Sequence, residues 1–241
     1  MSNQARLLLG TEHPCSYLEL RQARSMFVDP KFPLDAGKYA GLLQLGFRRS
    51  GAFVYRPACQ ACAECRPARI PVAQFAPDRG QRRCIRANAD LRFMRSSALS
   101  DEHYGLYRRY LAARHPCGGM DPEDKAAFHQ FLECPWGRTE AWDFRRADGR
   151  LIITAIVDLV PQGLSAVYTF FDPAERRRSL GTYAILRQVQ EARAAALPYL
   201  YLGYWIRGSR TMDYKRRFHP LECLETGGWR RTDPATGDKS L

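Results

Sequence analysis

The sequence contains no long run of apolar residues. Near its start the apolar stretch covers only Leu7–Leu9, which is too short for the core of a secretory signal peptide. No segment approaches the roughly 20 apolar residues that cross a bilayer, and no basic amphipathic helix is predicted that would lie on a membrane surface. We therefore expect a cytoplasmic protein with no membrane partner.

Histidine and lysine are scarce as well. The 241 residues include only 5 histidines, and 32 of the 37 basic residues are arginine, which leaves 5 lysines. The histidines are scattered along the chain and no Ser/His/Asp motif stands out. Catalysis by a histidine-centred set of residues is therefore not indicated.

The charge balance is strongly positive. A formal net charge of +12 and a pI near 9.6 indicate a polyanionic partner, and nucleic acid is the predicted one. Residues 48–95 hold eleven basic residues and three acids. Eight of the twelve net positive charges of the chain therefore lie in this segment. We predict a functional basic patch there; the alternative is a solvated face in a chain that is rich in arginine throughout.

The same segment carries three cysteines at strict spacing. Cys59, Cys62 and Cys65 form a Cys-x2-Cys-x2-Cys pattern. In a reducing cytosol such thiols commonly share a metal rather than form disulfides. Cys15 would complete a set of four ligands for zinc or an iron–sulfur cluster. The alternative is a small knuckle of unliganded thiols.

The spacing of apolar residues predicts both helices and strands. Tyr39 and Leu43 recur at helical spacing ahead of Gly46, which predicts a short helix that ends there. Strands rich in β-branched and aromatic residues are predicted on both sides of the cysteines, at residues 52–56 and 68–75.

From Ser100 onward the pattern is first helical and then alternating. Helices are predicted after Ser100 and after Asp121. Three antiparallel strands joined by tight turns follow, then a helix with its inner face in residues 185–196, a strand and a short helix. We predict an α+β fold, with a smaller cysteine-bearing basic region at residues 1–95 and a second domain at residues 96–241.

This order of elements is similar to that of GNAT acyltransferases. In those enzymes an Arg/Gln-x-x-Gly-x-Gly/Ala turn binds the pyrophosphate of coenzyme A. Arg178 and Gly181 match that turn, whereas Tyr183 stands where a small residue is expected. Arg178 and Gly181 are therefore candidate substrate-binding residues at the start of a helix suited to an anion. The alternative is that Ser179 only caps this helix.

Tyrosines are concentrated on two predicted strands. Tyr168, Tyr201 and Tyr204 are candidate catalytic residues, because buried phenols need polar partners and aromatic faces can stack the bases of a single-stranded RNA end. Aromatic residues in strands are more often part of the core, which is the alternative here.

Several longer motifs are specific enough to identify a family. They extend from about Cys15 to Glu222, which is nearly the whole chain. The motifs are PCSYL, RQARSMF, LLQLGFRRSGAFVYRPACQACAECRPARIPV, QRRCIRAN, HYGLYRRYLAARH, GGMD, LSAVYTFFDP, RSLGTYAILRQ, LPYLYLGYWI and MDYKRRFHPLE. With these motifs the chain resembles the arginyl-tRNA:protein transferase family, most closely its bacterial leucyltransferase branch.

The resemblance implies a GNAT-like domain joined to a cysteine-bearing N-terminal region. It implies an aminoacyltransferase that takes leucine from leucyl-tRNA and joins it to proteins whose first residue is Asp or Glu, which creates an N-degron. Arginine is the alternative transferred residue. A GNAT enzyme that uses acyl-coenzyme A and a non-catalytic metal-knuckle protein that binds RNA are the alternatives outside the family.

The resemblance also implies residues that bind the acceptor carboxylate or the tRNA phosphates. By motif match these are Arg48, Arg49, Gln81, Arg82 and Arg83. Arginine suits both anions because its planar guanidinium donates two parallel hydrogen bonds. An aminoacyl ester is already activated, so no cofactor is expected for the transfer itself. Positioning and stabilisation of an oxyanion would then supply the catalysis.

Overall fold

The structure is a computed structural model that describes residues 5–115 and 121–232. Most of the GGMD motif lies outside these residues. In the described part the helices are α1 (Ala36–Gln44), α2 (Arg79–Ala87), α3 (Asp101–Arg114), α4 (Lys125–Leu132) and α5 (Leu180–Ala194). The strands are β1 (Leu7–Leu9), β2 (His13–Pro14), β3 (Gln22–Ala23), β4 (Ser25–Val28), β5 (Arg48–Ser50), β6 (Phe53–Pro57), β7 (Arg66–Pro71), β8 (Arg92–Ser96), β9 (Arg138–Arg145), β10 (Leu151–Val160), β11 (Gly163–Phe171), β12 (Tyr199–Trp205), β13 (Glu222–Glu225) and β14 (Gly228–Arg231). Two 3-10 segments, Val72–Gln74 and Asp213–Arg217, complete the elements.

An eight-stranded sheet organises the described residues. Its strand order is β14-β13-β7-β12-β11-β10-β9-β8. Neighbouring strands are antiparallel except for the parallel pair β11 and β12. The order of elements predicted from Ser100 onward, from two helices to the short last helix, is confirmed. The α+β class is confirmed with it.

Strand β10 lies in the middle of the fold because it is apolar on both faces. Successive side chains of a strand point to opposite faces. Ile153 and Val157 pack into a core with α5, whereas Ile156 packs into a second core with α3 and α4. The helices therefore cover the sheet on its two sides.

A smaller sheet with the order β1-β4-β6-β5 precedes the cysteines. It meets the large sheet through a third core, in which Tyr39 and Leu43 of α1 and Val54 of β6 pack with Val160 and Tyr201. The predicted division between residues 95 and 96 stays a prediction. Strand β7, which comes before it, and strand β8, which crosses it, both pair within the large sheet.

Two local expectations were wrong, and one hairpin was missed. The second helix starts after Asp124, whose side chain accepts a hydrogen bond from the amide of Ala127, and not after Asp121. Helix α5 ends before Ala196, which has a positive φ of 52° and is exposed. The hairpin of β13 and β14 was not predicted at all.

Helix α2 was also missed, because its inner face carries no apolar stripe. The buried positions are Gln81, Cys84 and the C-cap Asn88. The signal that the sequence did contain is a capping box: the Asp78 carboxylate accepts from the Gln81 amide, and the Gln81 side chain accepts from the Asp78 amide. Residues 81–83 therefore lie on a helix.

None of the helices in the described ranges combines the length and the apolar character needed to cross a membrane.

Candidate active site

The two parallel strands at the centre of the large sheet part along their length. β11 and β12 pair at Gly163–Tyr199, Leu164–Leu200 and Ser165–Tyr201, although both strands continue beyond these positions. On β12 the register also shifts between Tyr201 and Gly203. We call the region after Ser165 and Tyr201 the strand split. Backbone groups of both strands are available there to a side chain or a ligand.

Arg48 of β5 enters the strand split from the smaller sheet. Its Nη1 donates to Ser165 Oγ at 3.0 Å and its Nη2 to the carbonyl of Ala166 at 2.5 Å. Gly203 of β12 lies on the other side of the guanidinium. This glycine has a φ of +77°, which side chains rarely adopt, and a Cβ atom there would lie 3.4 Å from Arg48 Nε. The Arg48 side chain, only 8% exposed, therefore lies between β11 and the backbone of β12.

Lys215 reaches the other strand of the split from the second 3-10 segment. Its Nζ donates to the carbonyl of Tyr204 at 2.5 Å, and the side chain is buried. Burial, and then the positive charge of Arg48, lower the pKa of Lys215 to about 7. The split thus holds two buried basic groups that repel each other.

Neither Arg48 nor Lys215 forms an ion pair with a carboxylate among residues 5–115 and 121–232. A buried cation without a counterion is unfavourable, because neither water nor a negative charge compensates for its desolvation. The strand split is therefore suited to an anionic group of a ligand.

Arg49, the next residue, is used differently. Successive residues of β5 point to opposite faces, and Arg49 donates to both carboxylate oxygens of Asp158 on β10 at 2.7 Å. Its remaining donors reach Thr139 Oγ1 and the carbonyls of Gly51, Leu132 and Glu133. Arg49 holds β5 against β10 and the end of α4, and the structure does not place it in the split.

The structure separates the three candidate tyrosines. Tyr204 interacts electrostatically with Arg48, and its hydroxyl donates to the carbonyl of Gly46 at 2.9 Å. Tyr201 lies on the other side of the register shift, where its hydroxyl accepts from Gln44 and its ring packs 6.0 Å from Trp229. Only Tyr204 of these two adjoins the strand split.

Tyr168 lies on β11 beyond the point at which the strands part. Its ring packs 5.1 Å from Phe131 and 6.3 Å from Tyr110. Burial and then the neighbouring Tyr110 hydroxyl raise the pKa of Tyr168. Its hydroxyl is buried and has no hydrogen-bond partner among the described residues. A buried donor without a partner is costly, and Tyr168 is the one of the three candidate tyrosines whose hydroxyl is left unsatisfied within the described residues.

The Gln-Arg-Arg motif is divided between the inside and the outside of α2. Gln81 is buried, and its Nε2 donates to the carbonyl of Arg217 at 2.9 Å. Arg82 and Arg83 are exposed. The motif therefore does not act as one group: Gln81 fixes α2 to the segment that carries Lys215, and the two arginines face outward.

Arg178 joins α2 to the start of α5. Its Nε donates to Asn88 Oδ1 at 3.0 Å, and its guanidinium forms an ion pair with Asp90 and a longer one with Glu175 at 3.8 Å. Ser179 precedes α5 with a φ of 51° and makes no side-chain capping bond. Gly181, two residues further along, lies against the Phe171 ring. The arginine matched to the coenzyme A turn is thus occupied within the chain.

Tyr183, at the position where that turn has a small residue, is buried and packs 5.4 Å from Phe144. The tyrosine that departs from the GNAT pattern is therefore a core residue.

Cys15 and the three closely spaced cysteines Cys59, Cys62 and Cys65 gather at one place. Burial raises the pKa of the Cys65 thiol to about 12, and Cys59, Cys15 and Cys62 raise it further in that order. Cys59 accepts a hydrogen bond from the backbone amide of Arg24 at 3.4 Å. No group of three or more potential ligands in the described ranges has the geometry for a metal ion. A zinc ion or an iron–sulfur cluster at Cys15, Cys59, Cys62 and Cys65 therefore stays a prediction.

Lys215 is the site residue that sequence reasoning missed. In the sequence it stands out only as a member of the motif MDYKRRFHPLE. The available signal is composition: in a chain with 32 arginines and 5 lysines, a lysine directly before two arginines is unusual. Lysine differs from arginine because its pKa falls readily on burial.

We expect Lys215→Met to stabilise the protein. An unfolded lysine binds its proton with a pKa near 10.4, whereas the folded protein releases it near pH 7. The variant removes the cost of burying a charge but also loses the hydrogen bond to the Tyr204 carbonyl. With both effects included, its free energy of unfolding at pH 7 should exceed that of wild type by roughly 2 kcal/mol. The gain should shrink as the pH rises from 7 to about 10 and stay constant below 7. Urea unfolding at several pH values measures it.

Lys125→Met is the matched control, since Lys125 is exposed and pairs with the exposed Asp101. It should change stability by less than about 1 kcal/mol. A gain in the Lys215 variant that does not vary with pH would contradict the assignment of a buried amine with a lowered pKa.

Comparisons with known proteins cover most of the chain. Residues 13–83 match the family model described as "Arginine-tRNA-protein transferase, N terminus", and residues 102–225 match "Arginine-tRNA-protein transferase, C terminus". A Nitrosococcus oceani protein named aspartate/glutamate leucyltransferase is 49% identical over 222 residues, which cover 92% of this chain and 93% of that protein. A Pseudomonas fluorescens protein with the same name is 50% identical, with 90% and 92% covered.

Two solved structures resemble the chain more distantly. L-PGS from Bacillus licheniformis is 11% identical with a TM-score of 0.48, and 69% of this chain and 58% of that chain are covered. FemX is 9% identical with a TM-score of 0.47, and 86% and 81% are covered. These scores are too low to bear on function.

Proposed function

Because the chain belongs to the arginine-tRNA-protein transferase family, and is accordingly a transferase, we propose that it moves leucine from leucyl-tRNA to the α-amine of proteins that begin with Asp or Glu. The choice of leucine is supported by relatives of about 50% identity that are named aspartate/glutamate leucyltransferase. The product would carry a new N-terminal leucine, which we propose serves as an N-degron in the cytoplasm.

The pair of buried cations in the strand split is the observation that carries the proposal for the acceptor. Arg48 and Lys215 have no carboxylate partner in the part of the chain that the structure describes. An acceptor that begins with Asp or Glu would bring the missing carboxylate. Arg48 would bind it with two parallel hydrogen bonds, and Lys215 would add a second positive charge.

The reaction requires positioning more than activation. The neutral α-amine of the acceptor attacks the ester carbonyl carbon of leucyl-tRNA, so that a C–N bond forms and the C–O bond to the terminal ribose breaks. The amine proton passes to solvent or to the ribose oxygen, which leaves as a hydroxyl. The unperturbed α-amine has a pKa of about 7.7–8.0, so an appreciable neutral fraction exists near neutral pH.

The unpartnered hydroxyl of Tyr168 would donate a hydrogen bond to the oxyanion that develops on the ester carbonyl. Such a donor lowers the barrier because it is oriented before the charge develops. Tyr204 would hold Arg48 in place from β12, since its hydroxyl is already bound to Gly46. We propose that Tyr168 is the catalytic tyrosine and that Tyr201 is structural.

The transfer as proposed uses no cofactor, because the ester itself supplies the free energy. The cysteines would then stabilise the N-terminal region as thiols. No step of the reaction passes through them.

The proposal is tested by transfer assays with purified protein, charged tRNA and short peptides. We expect leucine to be transferred from leucyl-tRNA to peptides that begin with Asp or Glu, about 100-fold faster than to peptides that begin with Asn or Gln. The rate should be unchanged by EDTA.

Three outcomes would contradict parts of this proposal. Transfer from arginyl-tRNA alone would replace leucine by arginine as the transferred residue. Equal rates for Asp- and Asn-initiated peptides would remove the carboxylate from the site. Activity that disappears with EDTA and returns with zinc would show that a metal is required.

A further inference from the structure

Helix α2 presents an outward face made almost entirely of arginine. Four of its nine residues are exposed arginines, and none is acidic. We call these four side chains the α2 surface: Arg79, Arg82, Arg83 and Arg86. Asp78, the acid directly before the helix, uses its carboxylate to cap the Gln81 amide. Four arginines thus stand against this one capping carboxylate, and the face keeps a net positive charge.

The α2 surface also lacks partners from elsewhere in the described chain. None of its arginines forms an ion pair with a carboxylate there; Arg82 donates only to the carbonyl of Pro77. Exposed arginines on other elements commonly do pair, as Arg108 does with Glu123 and Arg216 with Asp213. A helix with four adjacent uncompensated guanidinium groups is unfavourable for the isolated protein, since like charges at i, i+4 repel. This cost is offset when the face binds a polyanion.

The position of α2 connects this face to the strand split. At its N-terminal end, Gln81 is hydrogen-bonded to the carbonyl of Arg217, two residues from Lys215. At its C-terminal end, Asn88 donates to the carbonyl of Arg178, whose neighbours Arg176 and Arg177 are exposed. The arginines of α2 therefore lie between two further basic stretches, one of which leads directly to a buried cation of the split.

A nucleic-acid backbone fits this face better than a protein does. Guanidinium groups match phosphate geometry. Arg79 and Arg86 are seven residues apart, which places them about 10 Å apart along the helix axis, so they would bind more than one phosphate. Ile85, at the rim of the face, is partly buried in the core with α5, and an exposed large apolar anchor of the kind that protein interfaces use is not present on this helix.

We propose that the α2 surface binds the phosphate backbone of the acceptor stem of the charged tRNA and directs its 3′ end past Arg217 into the strand split. This deepens the proposed function, on which it rests. The same face gives Arg82 and Arg83 a role in binding tRNA and not in reading the acceptor carboxylate, which falls to Arg48.

The test replaces three arginines of the face with a residue of similar helix propensity, as R82Q/R83Q/R86Q in the full chain. Binding of leucyl-tRNA is measured at several salt concentrations, and transfer to an Asp-initiated peptide is measured at saturating peptide. The slope of log K against log salt should become shallower by about three, one for each phosphate that the variant no longer neutralises. KM for the tRNA should rise on the order of 100-fold, while kcat and the KM for the peptide stay within about twofold.

The matched control removes the same charge from exposed arginines on other elements, as R109Q/R138Q/R230Q. For this control, the slope of log K against log salt should differ from the wild-type slope by no more than about one. Equal slopes for the two triple variants, or a rise in KM for the peptide in place of the tRNA, would overturn the proposal.

The two proposals can fail separately. If wild type binds tRNA through α2 but transfers no leucine, the proposed function is wrong and the proposal that α2 binds tRNA is retained. If wild type transfers leucine and R82Q/R83Q/R86Q binds tRNA as tightly as wild type does, the proposed function stands and the α2 surface fails.

Discussion

Arg48→Lys should remove the selection of acidic acceptors while leaving the protein folded and able to bind charged tRNA. Lysine retains a positive charge but cannot donate two parallel hydrogen bonds to a carboxylate, and it cannot reproduce the bonds to Ser165 and Ala166. Loss of charge-assisted bonds worth about 3 kcal/mol corresponds to a fall of about 100-fold in kcat/KM for Asp-initiated peptides. Steady-state transfer assays with matched Asp and Asn peptides measure this effect.

Arg56→Lys is the control for this variant. Arg56 is a half-buried arginine of the neighbouring strand β6, and it lies over the Phe47 ring at 5.0 Å without entering the strand split. It should keep kcat/KM within about threefold of wild type. An Arg48→Lys enzyme that still prefers Asp over Asn by the wild-type ratio would show that another group reads the carboxylate.

Asp158→Ala should destabilise the fold by about 3–5 kcal/mol, because it leaves the buried guanidinium of Arg49 without its counterion. The chain would unfold at a markedly lower urea concentration, as measured by circular dichroism. The double variant Arg49→Leu/Asp158→Leu should recover much of this loss, since apolar side chains of suitable volume often replace a buried ion pair at little cost.

The exposed pair of Arg108 and Glu123 provides the comparison. Glu123→Ala should cost no more than about 1 kcal/mol, because solvent screens an exposed pair. If Asp158→Ala were as mild as Glu123→Ala, the pair with Arg49 would not be the connection between β5 and β10 that the geometry indicates.

Arg48 and Arg49 show where inference from sequence ends. Both belong to one motif, and both were assigned to the acceptor carboxylate or the tRNA phosphates. In the structure the carboxylate of Asp158, 109 residues away, binds Arg49, whereas Arg48 meets only a hydroxyl and a carbonyl. The two residues differ in the partners that the fold brings to them, and no local pattern contains that information.

The elements were predictable where their signals are local. The order of helices and strands after Ser100 follows from apolar spacing and from turns such as the one at Gly149, whose φ is +87°. Helix α2 was not predicted because its inner face consists of Gln81, Cys84 and Asn88 and so lacks an apolar stripe. Its burial is decided by Arg178 and Arg217, which approach from distant parts of the chain.

The amino-acid sequence thus specified the family, the order of most elements and the concentration of positive charge, since motifs, periodicity and composition are properties of neighbouring residues. The strand split, the pairing of Arg49 with Asp158 and the burial of Lys215 beside Arg48 came from the folded chain. Each of them depends on which groups find a counterion or a hydrogen bond across the sheet, and such compensation is settled by contacts between residues far apart in the chain.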